Sequence, residues 1–434
     1  MQALVLAALL AAGQEVDHVV IVSVDGLRPE FYLGDYEAPT LQAMAREGVH
    51  AREAESVFPS STYPAHASIV TGVRPWRHGI AANTKWGEGG ATRDWHWFAR
   101  DLEARTLWQA ARERGRTVAI SYWPSSVGAE ADWLLGEVWD PDGKDTVRRL
   151  TASSTPGLLL ELMLALGVPE ERIVADKAAI DRFVARAAAY LFRKHRPNLQ
   201  LVHLLNVDEA QHREGREGEG VRRAVREQDA NLAVIRKAIA ESGVGPRTLL
   251  VVTGDHGFAD VRRNVNPNAL LRDAGYVSAE GGRVVSWRAL ARSSGGSCGV
   301  YVKDAADVEA VGRLLRGSAR FDGETLYEVL DRPALDLLGY DRKAAFALDP
   351  AEGWAFSGAL APRLVDGLPT VRGNHGQRPT RPGLFTGFVA AGAGVRPGAS
   401  VDRMRLIDIA PTVARLLGLD LPDAEGAVLD ALLR

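Results

Sequence analysis

The 434-residue chain has a single cysteine and almost no net charge. Cys298 cannot form an intrachain disulfide, so the fold must depend on its hydrophobic core rather than on covalent cross-links. The 52 basic and 55 acidic side chains leave a net charge of −3, which predicts neither a nucleic-acid-binding surface nor a polybasic membrane patch. A polyanionic ligand would therefore have to be attracted by a local site. Internal repeats, low-complexity tracts and long linkers are also lacking.

Only one long apolar run occurs, and it lies at the N-terminus. Residues 1–12 read MQALVLAALLAA, which is the length of a signal-peptide hydrophobic region, and small residues lie near Gly13, although no Lys or Arg precedes the run. We expect residues 1–13 to be a signal peptide and the protein to be periplasmic or secreted; a short buried strand or helix is the alternative. No other stretch reaches the ~18 apolar residues needed to cross a bilayer, so no membrane span is expected after cleavage.

Three predicted strands end at acidic residues. The run HVVIVSV ends at Asp25, residues 199–207 lead into Asp208, and the run TLLVVT leads into Asp255 and His256. Continuous apolar runs of this kind are typical of strands that are covered on both faces. In an open α/β sheet, ligands bind at the carboxyl edge of the strands. The sequence therefore predicts that these acidic groups lie at the edge where a ligand would bind.

Helical patterns lie between the strands, at Pro39–Glu47, Thr106–Arg114, Asp181–His195 and Val221–Glu241. Strands that alternate with helices predict an α/β fold with a doubly wound, mostly parallel sheet and helices on both faces. From residue 262 to residue 372 the alternation gives way to Gly-rich turns, and we predict an inserted cap there. The α/β core would then comprise residues 14–261 and 373–434.

Six short motifs supply the candidate site: VSVDG at Asp25, STYPAH at Thr62, HGIAAN at Asn83, DEAQH at Asp208 and His212, TGDHG at Asp255 and His256, and NHG at His375. They include three carboxylates, three histidines and one hydroxyl. Zinc binds carboxylate oxygen and imidazole nitrogen, so the set suits two adjacent Zn²⁺ ions that share a nucleophile. Mn²⁺, Co²⁺ and iron accept the same mixture of donors.

The hydroxyl motif also has an ordinary structural explanation. Thr62 can be the N-cap of the helix that follows it, because Pro64 is tolerated in a first turn. A hydroxyl at a helix N-terminus is also where the helix dipole favours an alkoxide, so capping and nucleophilic roles are compatible. Ser60 and Ser61 are alternatives for the same role, and spacing does not separate them.

The ligand motifs likewise allow simpler interpretations when each is taken alone. Asp208 and His212 are four residues apart, which places both on one face of a helix or tight turn and suits joint metal ligation; a capping Asp beside an exposed His is the alternative. Asp255 and His256 can form an ordinary turn. His375 can be an exposed loop histidine. Their joint occurrence at strand ends and glycine-flanked turns favours the metal site.

In order and spacing the motifs resemble the alkaline phosphatase superfamily, and most closely its nucleotide pyrophosphatase/phosphodiesterase branch. That branch has an Asp after the first strand, a Thr in a T-[FY]-P-N-H type segment, an Asn ending H-G-I-x-x-N, a D-x-x-x-H pair, a D-H-G and a late H-G. The matching residues here are Asp25, Thr62, Asn83, Asp208, His212, Asp255, His256 and His375. The resemblance covers nearly the whole chain and implies an alkaline-phosphatase-like fold.

The resemblance also implies roles for these residues. One Zn²⁺ would be held by Asp208, His212 and His375, and the other by Asp25, Thr62, Asp255 and His256. Thr62 would attack phosphorus and form a phospho-threonine intermediate. Asn83 and the backbone N–H of Tyr63 would donate to a non-bridging oxygen, although Asn83 can also cap a turn. Tyr63 and Trp123 are the predicted substrate contacts, since the YWPS segment resembles the W-P-G segment of the branch.

Two departures bear on the substrate. Ala65 replaces the usual Asn of the branch, and His203 stands where its nucleotide-binding members have Tyr. The Lys-x-Arg pair of Thr-type monoesterases is not evident, and a diester, which carries one charge less, suits a site without it. We therefore expect a zinc phosphodiesterase or nucleotide pyrophosphatase that acts on a small-molecule phosphodiester or nucleotide. A phosphomonoesterase or phosphonate hydrolase on the same metals, or a non-catalytic zinc-stabilised binding protein, are the alternatives.

Overall fold

The computed structural model describes residues 15–87, 90–140 and 144–434, so the predicted signal peptide lies outside the described residues. The strands in these ranges are β1 His18–Val24, β2 Val49–Glu55, β3 Thr84–Gly87, β4 Gly90–Trp95, β5 Val118–Ser121, β6 Trp133–Leu135, β7 Leu199–Leu204, β8 Thr248–Thr253, β9 Ala259–Val265, β10 Val277–Glu280, β11 Arg283–Trp287, β12 Ala289–Ser293, β13 Cys298–Val302, β14 Arg320–Phe321, β15 Glu324–Thr325, β16 Tyr327–Leu330, β17 Phe346–Pro350, β18 Gly353–Phe356, β19 Val365–Asn374, β20 Phe388–Gly392 and β21 Ser400–Arg405.

The α-helices are α1 Glu30–Leu33, α2 Pro39–Glu47, α3 Thr62–Thr71, α4 Pro75–His78, α5 Leu107–Glu113, α6 Thr146–Ala152, α7 Leu158–Leu166, α8 Glu170–Ile173, α9 Lys177–His195, α10 Asn206–Glu214, α11 Glu219–Glu241, α12 Pro267–Asp273, α13 Ala305–Gly317, α14 Arg332–Leu338 and α15 Ile409–Leu417. Short 3₁₀ helices occur at Ala99–Asp101, Gly245–Arg247, Leu406–Asp408 and Asp430–Leu432. No helix of the described ranges has the length and apolar character that crossing a membrane requires.

An eight-stranded sheet forms the centre of the molecule, in the order β21-β2-β20-β8-β1-β7-β5-β6. Strand β1 pairs in parallel with both β7 and β8, and β5 continues the parallel pairing beyond β7. Strand β20 is antiparallel to its neighbours β8 and β2. The predicted α/β fold with a mostly parallel sheet is confirmed.

Both faces of this sheet are covered by helices, which explains the uninterrupted apolar run of β1. Val20 and Val22 pack in a core with residues of α9 and α11, whereas Val19 and Ile21 pack on the opposite face with residues of α3 and α15. All seven residues of β1 are buried. Since alternate residues of a strand point to opposite faces, a strand with two buried faces has no polar alternation.

The segment from β9 to β19 contributes none of the described strands of the central sheet, and we refer to residues 259–374 as the cap. Its largest sheet has the order β12-β13-β17-β16, and a smaller one has the order β18-β9-β19. A separate hydrophobic core that includes the buried Cys298 lies within it. The predicted domain limits at residues 262 and 372 lie within β9 and β19, and the division into core and cap stays a prediction.

Several element ends differ from the sequence prediction for local reasons. Helix α9 begins at Lys177, four residues earlier than predicted, because the Asp176 carboxylate accepts a hydrogen bond from the N–H of Ala179. The prediction that Thr62 is an N-cap was wrong: Ser61 has the extended N-cap backbone (φ −130°, ψ 155°), and Thr62 is the first helical residue. The strand-like sequence of residues 384–390 predicts a strand there; the observed strand β20 begins at Phe388, and Thr386 before it forms an isolated bridge with Ala54.

Candidate metal centre and nucleophile

The predicted ligands meet at the carboxyl edge of the central sheet. Asp25 directly follows β1, and Asp255 lies two residues after its neighbour β8. The other neighbour, β7, leads into α10, which carries Asp208 in its first turn. Because β7, β1 and β8 are adjacent and parallel, their carboxyl ends share one edge, and the three carboxylates converge there.

A first ligand group consists of Asp208, His212 and His375. The i, i+4 spacing on α10 brings His212 Nε2 to 3.3 Å from Asp208 Oδ1. His375, in the loop after β19, places its Nε2 3.7 Å from the same oxygen. One ligand atom from each residue lies within 4.8 Å of the others. The structure therefore brings together the three residues that the D-x-x-x-H and H-G motifs supplied.

A second group consists of Asp25, Asp208 and His256, so Asp208 lies between the two groups. His256 Nε2 is 3.2 Å from Asp25 Oδ1 and also 3.2 Å from Asp255 Oδ2. Asp255 is fully buried, and its other oxygen accepts the N–H groups of Gly26 and His256. All of the predicted carboxylate and imidazole ligands thus lie within one contiguous cluster.

The cluster has the donor atoms that divalent metal ions require. Three buried carboxylate oxygens have no hydrogen-bond partner among the described residues: Asp25 Oδ1, Asp208 Oδ1 and Asp255 Oδ2. Each histidine donates from Nδ1 to a backbone carbonyl, at 3.0 Å from Gly373 for His212, 2.9 Å from Ser60 for His375 and 3.3 Å from Gly257 for His256. This fixes the rings with Nε2 toward the carboxylates, as is usual for metal-ligating histidines. The donor atoms therefore fit divalent metal ions.

The pKa values reflect how closely these charges are packed. Burial alone would lower the pKa of His256, but Asp255 and Asp25 raise it to about 9. Burial likewise lowers the pKa of His212, but the neighbouring Asp208 outweighs burial and raises it to about 9. Burial and the neighbouring Asp25 raise the pKa of Asp255 to about 7. Burial and the neighbouring His256 and His212 lower the pKa of His375, so without metal ions it is the protons on His212 and His256 that compensate the carboxylates at neutral pH.

Thr62 is the hydroxyl that faces this cluster. Its Oγ1 lies 3.5 Å from His256 Nε2, and in residues 56–73 it is the one side chain that is not buried. Ser60 is engaged elsewhere, because its hydroxyl donates to the carbonyl of Gln377 and accepts the N–H of Gly376. Thr62 lies at the start of α3 next to a candidate ligand, which favours it over Ser60, and its role as the nucleophile stays a prediction.

The predicted substrate contacts have different surroundings. The N–H of Tyr63 donates to Asn83 Oδ1 at 3.0 Å, which leaves the amide NH₂ of Asn83 for another partner. The ring of Tyr63 is fully buried and packs against Trp95, with 5.3 Å between ring centroids. Trp123 is also fully buried and packs edge-on against His66. Substrate contact by Tyr63 or Trp123 stays a prediction.

A buried His-carboxylate pair behind Asp25 was not predicted. His203 Nε2 lies 3.3 Å from Asp25 Oδ2, and its Nδ1 lies 3.6 Å from Glu137 Oε1. Both His203 and Glu137 are buried. His203 therefore supports a ligand and does not form a wall of a substrate slot. The sequence held a signal for it: a polar residue near the carboxyl end of an apolar strand, in register with Ser23, two residues before Asp25.

Fold and site together define an α/β protein with a cluster of metal ligands and a hydroxyl at the carboxyl edge of its sheet. The family model for type I phosphodiesterase / nucleotide pyrophosphatase matches residues 19–378, and the chain belongs to this family. Members of the family are hydrolases of phosphoric esters. The resemblance stated from the motifs is confirmed.

Individual relatives are more distant. Human ectonucleotide pyrophosphatase/phosphodiesterase family member 7 is 26% identical over 272 residues, which cover 59% of this chain and 52% of the relative. A bis(5'-adenosyl)-triphosphatase of Xenopus laevis is 31% identical over 115 residues, 25% of this chain and 24% of the relative. The chain thus spans about a quarter to a half of the length of these relatives.

Among solved structures, human ectonucleotide pyrophosphatase/phosphodiesterase 5 superposes with a TM-score of 0.69 at 18% identity and covers 96% of this chain and 100% of its own. An inactive variant of the murine counterpart, in complex with AMP, has a TM-score of 0.68 at 19% identity, with the same coverage. At this level of identity the likeness establishes the fold.

Proposed function

We propose that the protein hydrolyses phosphodiester or phosphoanhydride bonds through a covalent phospho-threonine on Thr62, with two divalent metal ions, in the first instance Zn²⁺. The observation that carries this proposal is the position of Thr62 Oγ1, 3.5 Å from His256 Nε2, at the edge of a cluster in which three carboxylate oxygens have no hydrogen-bond partner in the part of the chain that the structure describes. A nucleophile beside two metal sites suits in-line displacement at phosphorus. Membership of the phosphodiesterase family supports the same reaction.

When bound, the metal ions supply Lewis-acid charge for the phosphoryl oxygens and lower the pKa of the attacking hydroxyl. Thr62 Oγ forms a bond to phosphorus as the bond to the leaving oxygen breaks, and water then displaces the threonine from phosphorus. The first residue of α3 lies at the positive end of the helix dipole, which favours a negatively charged Thr62 oxygen. Asn83 accepts the Tyr63 N–H at its Oδ1, and its NH₂ would donate to a non-bridging oxygen.

The charges around the ligands favour a diester over a monoester. Among the described residues, no lysine or arginine forms an ion pair with Asp25, Asp208 or Asp255; the basic side chains within 4.0 Å of their oxygens are histidines. A dianionic monoester would need additional cations for its extra oxygens. Since relatives are named as nucleotide pyrophosphatases and a bis(5'-adenosyl)-triphosphatase, we propose nucleotides as the substrate class. We also propose that the predicted signal peptide directs export of the protein.

The test is kcat/KM on bis-p-nitrophenyl phosphate against p-nitrophenyl phosphate with zinc-loaded protein. We expect a diester preference of several orders of magnitude. Thr62→Ala and chelation should each abolish turnover, with a loss of at least about 10⁴-fold for the variant. Thr62→Ser, which keeps the hydroxyl, is the matched control and should retain measurable turnover. A monoester preference would move the assignment to a phosphatase, and absence of metal-dependent turnover would favour a binding protein.

A further inference from the structure

A cavity of about 700 Å³ lies between the core and the cap, beside the predicted oxyanion contact. Its core wall comes from residues 75–86 and 96–103, and its cap wall from residues 287–302 and 341–343. The connection to Asn83 is short: the N–H of His96 donates to the carbonyl of Asn83 at 3.1 Å, and Arg292 donates to the carbonyl of Thr84. Ala81 and Lys85, which line the cavity, are each two residues from Asn83, and His96, which also lines it, is hydrogen-bonded to the Asn83 backbone.

The lining carries more positive than negative charge, in a protein whose net charge is −3. Three acidic side chains line it, Asp101, Glu103 and Asp341, against five cationic ones, namely Lys85, Arg100, Arg292, Arg342 and Lys343. Lys85 is neutralised by Asp101 at 2.8 Å. The remaining cations give this cavity the local attraction for polyanions that the overall charge does not provide.

Two of the arginines lie over tryptophan rings. The guanidinium carbon of Arg292 is 5.2 Å from the ring centroid of Trp86, and that of Arg342 is 3.9 Å from the ring centroid of Trp76. A guanidinium stacked in this way is held by the ring but keeps its in-plane N–H groups, which match pairs of phosphate oxygens. The lining therefore presents oriented donors for an oxyanion.

Arg292 also has an unbalanced charge. It is only 6% exposed and donates to the Thr84 carbonyl, and no carboxylate of the described residues forms an ion pair with it. Buried charges in proteins are normally compensated by an opposite charge. An anionic ligand in the cavity would supply that charge.

We propose that this cavity binds the phosphate groups of the leaving group of a nucleoside polyphosphate, such as pyrophosphate or the diphosphate of a second nucleotide. The inference rests on the proposed function for its substrate, and it extends that function by naming which part of the substrate the cap recognises. Specificity for phosphoanhydrides over simple diesters then comes from Arg292 and Arg342, and not from the metal centre.

The first test compares two substrates that share one half: ATP, whose leaving group is pyrophosphate, and the p-nitrophenyl ester of AMP. Arg292→Met keeps the aliphatic stem beside Trp86 and should lower kcat/KM for ATP by about 10- to 100-fold. The loss for the p-nitrophenyl ester should be at least about tenfold smaller, since that leaving group has no phosphate. Arg342 is exposed, so Arg342→Met should not affect folding. It should also lower the ratio of kcat/KM for ATP to kcat/KM for the p-nitrophenyl ester.

Arg313→Met is the matched control, because Arg313 is an exposed cap arginine on α13 outside the cavity and should leave the ratio of the two substrates at the wild-type value. An equal loss on both substrates in Arg292→Met and Arg342→Met would overturn the proposal, because the arginines would then act on the fold or on the metal centre.

The second test measures pyrophosphate binding to chelated protein by calorimetry, which does not depend on turnover. The wild type and Thr62→Ala should bind pyrophosphate alike, and Arg292→Met should bind about 10- to 100-fold more weakly. If the protein hydrolyses neither substrate but still binds pyrophosphate in a way that depends on Arg292, the proposed subsite is supported and the proposed reaction is wrong. Absence of pyrophosphate binding by the chelated wild type would overturn the subsite, whatever the activity.

Discussion

Replacement of His203 by leucine removes the cation between two buried acids. In the native protein His203 lies 3.3 Å from Asp25 on one side and 3.6 Å from Glu137 on the other. Leucine has a similar volume, so the change tests charge and hydrogen bonding more than packing. Asp25 retains His256 as a neighbour at 3.2 Å, but Glu137 loses its cation while it remains buried. The variant should therefore be destabilised mainly through Glu137.

The size of the effect follows from the pKa of His203. Burial lowers this pKa, but Asp25 and Glu137 outweigh burial and raise it from 6.5 to about 10 in the metal-free protein. A raised histidine pKa stabilises the fold fully below the unfolded value of 6.5, and the contribution is lost as the pH rises through about 10. The upward shift of the His203 pKa and the cost of leaving Glu137 buried without a cation both indicate the same magnitude. His203→Leu should lower the free energy of unfolding by about 3–5 kcal/mol.

The assay is urea unfolding of chelated wild type, His203→Leu, Glu137→Gln and the double variant at pH 6 and pH 10. We expect both proteins to lose stability between the two pH values, because His212 and His256 have pKa values of about 9 in each, and His203→Leu to lose about 3–5 kcal/mol less than the wild type. Glu137→Gln removes the uncompensated charge, so the loss in the double variant should be about 2 kcal/mol smaller than the sum of the single losses. Additive losses, or an unchanged pH dependence in His203→Leu, would refute the reasoning.

Three further predictions concern the site itself. Asn83→Ala should lower kcat about 10²–10³-fold with little change in KM, because its amide acts as charge builds on the phosphoryl oxygen; a change confined to KM in steady-state kinetics would contradict this. Asp181 accepts hydrogen bonds from two backbone N–H groups at the start of α10. Asp181→Ala should therefore lower the free energy of unfolding in urea by about 1–3 kcal/mol and weaken zinc binding. An unaltered zinc affinity in titrations would contradict this role of Asp181. Metal loading at pH 7 should release about two to three protons, from His212 and His256 with pKa values of about 9 and in part from Asp255 with a pKa of about 7. Affinity should rise with pH up to about 9. Calorimetry in buffers of different ionisation enthalpy counts the protons, and no release would contradict the ligand assignment.

The central sheet and its ligands were predictable because their signals are local. The β-branched run of β1 ends at Asp25, and the i, i+4 spacing of Asp208 and His212 places both on one face of α10. Parallel strands that are buried on both faces can be arranged in only a few kinds of sheet. In each of these the carboxyl ends of the strands lie at one edge. The fold class and the clustering of the ligands follow from these features alone.

Other features depend on contacts between distant parts of the chain. The cap sheet joins Cys298 to Leu348 in antiparallel pairing of short strands, which no local pattern specifies. Tyr63 was predicted as a substrate contact, which stays a prediction, but the packing of its ring against Trp95 could not be foreseen because the two residues are distant in sequence. Glu137 could not be connected with His203 from the sequence, because the contact depends on how the segment after β6 packs beneath the site.

The central claim is the covalent phospho-threonine, and the stereochemistry at phosphorus tests it most directly. A chiral phosphorothioate diester is hydrolysed in ¹⁸O-labelled water, and the configuration of the product is determined by NMR. Attack by Thr62 followed by attack of water inverts phosphorus twice, so we expect net retention of configuration. Net inversion would mean that water attacks the substrate directly, and it would contradict the role assigned to Thr62.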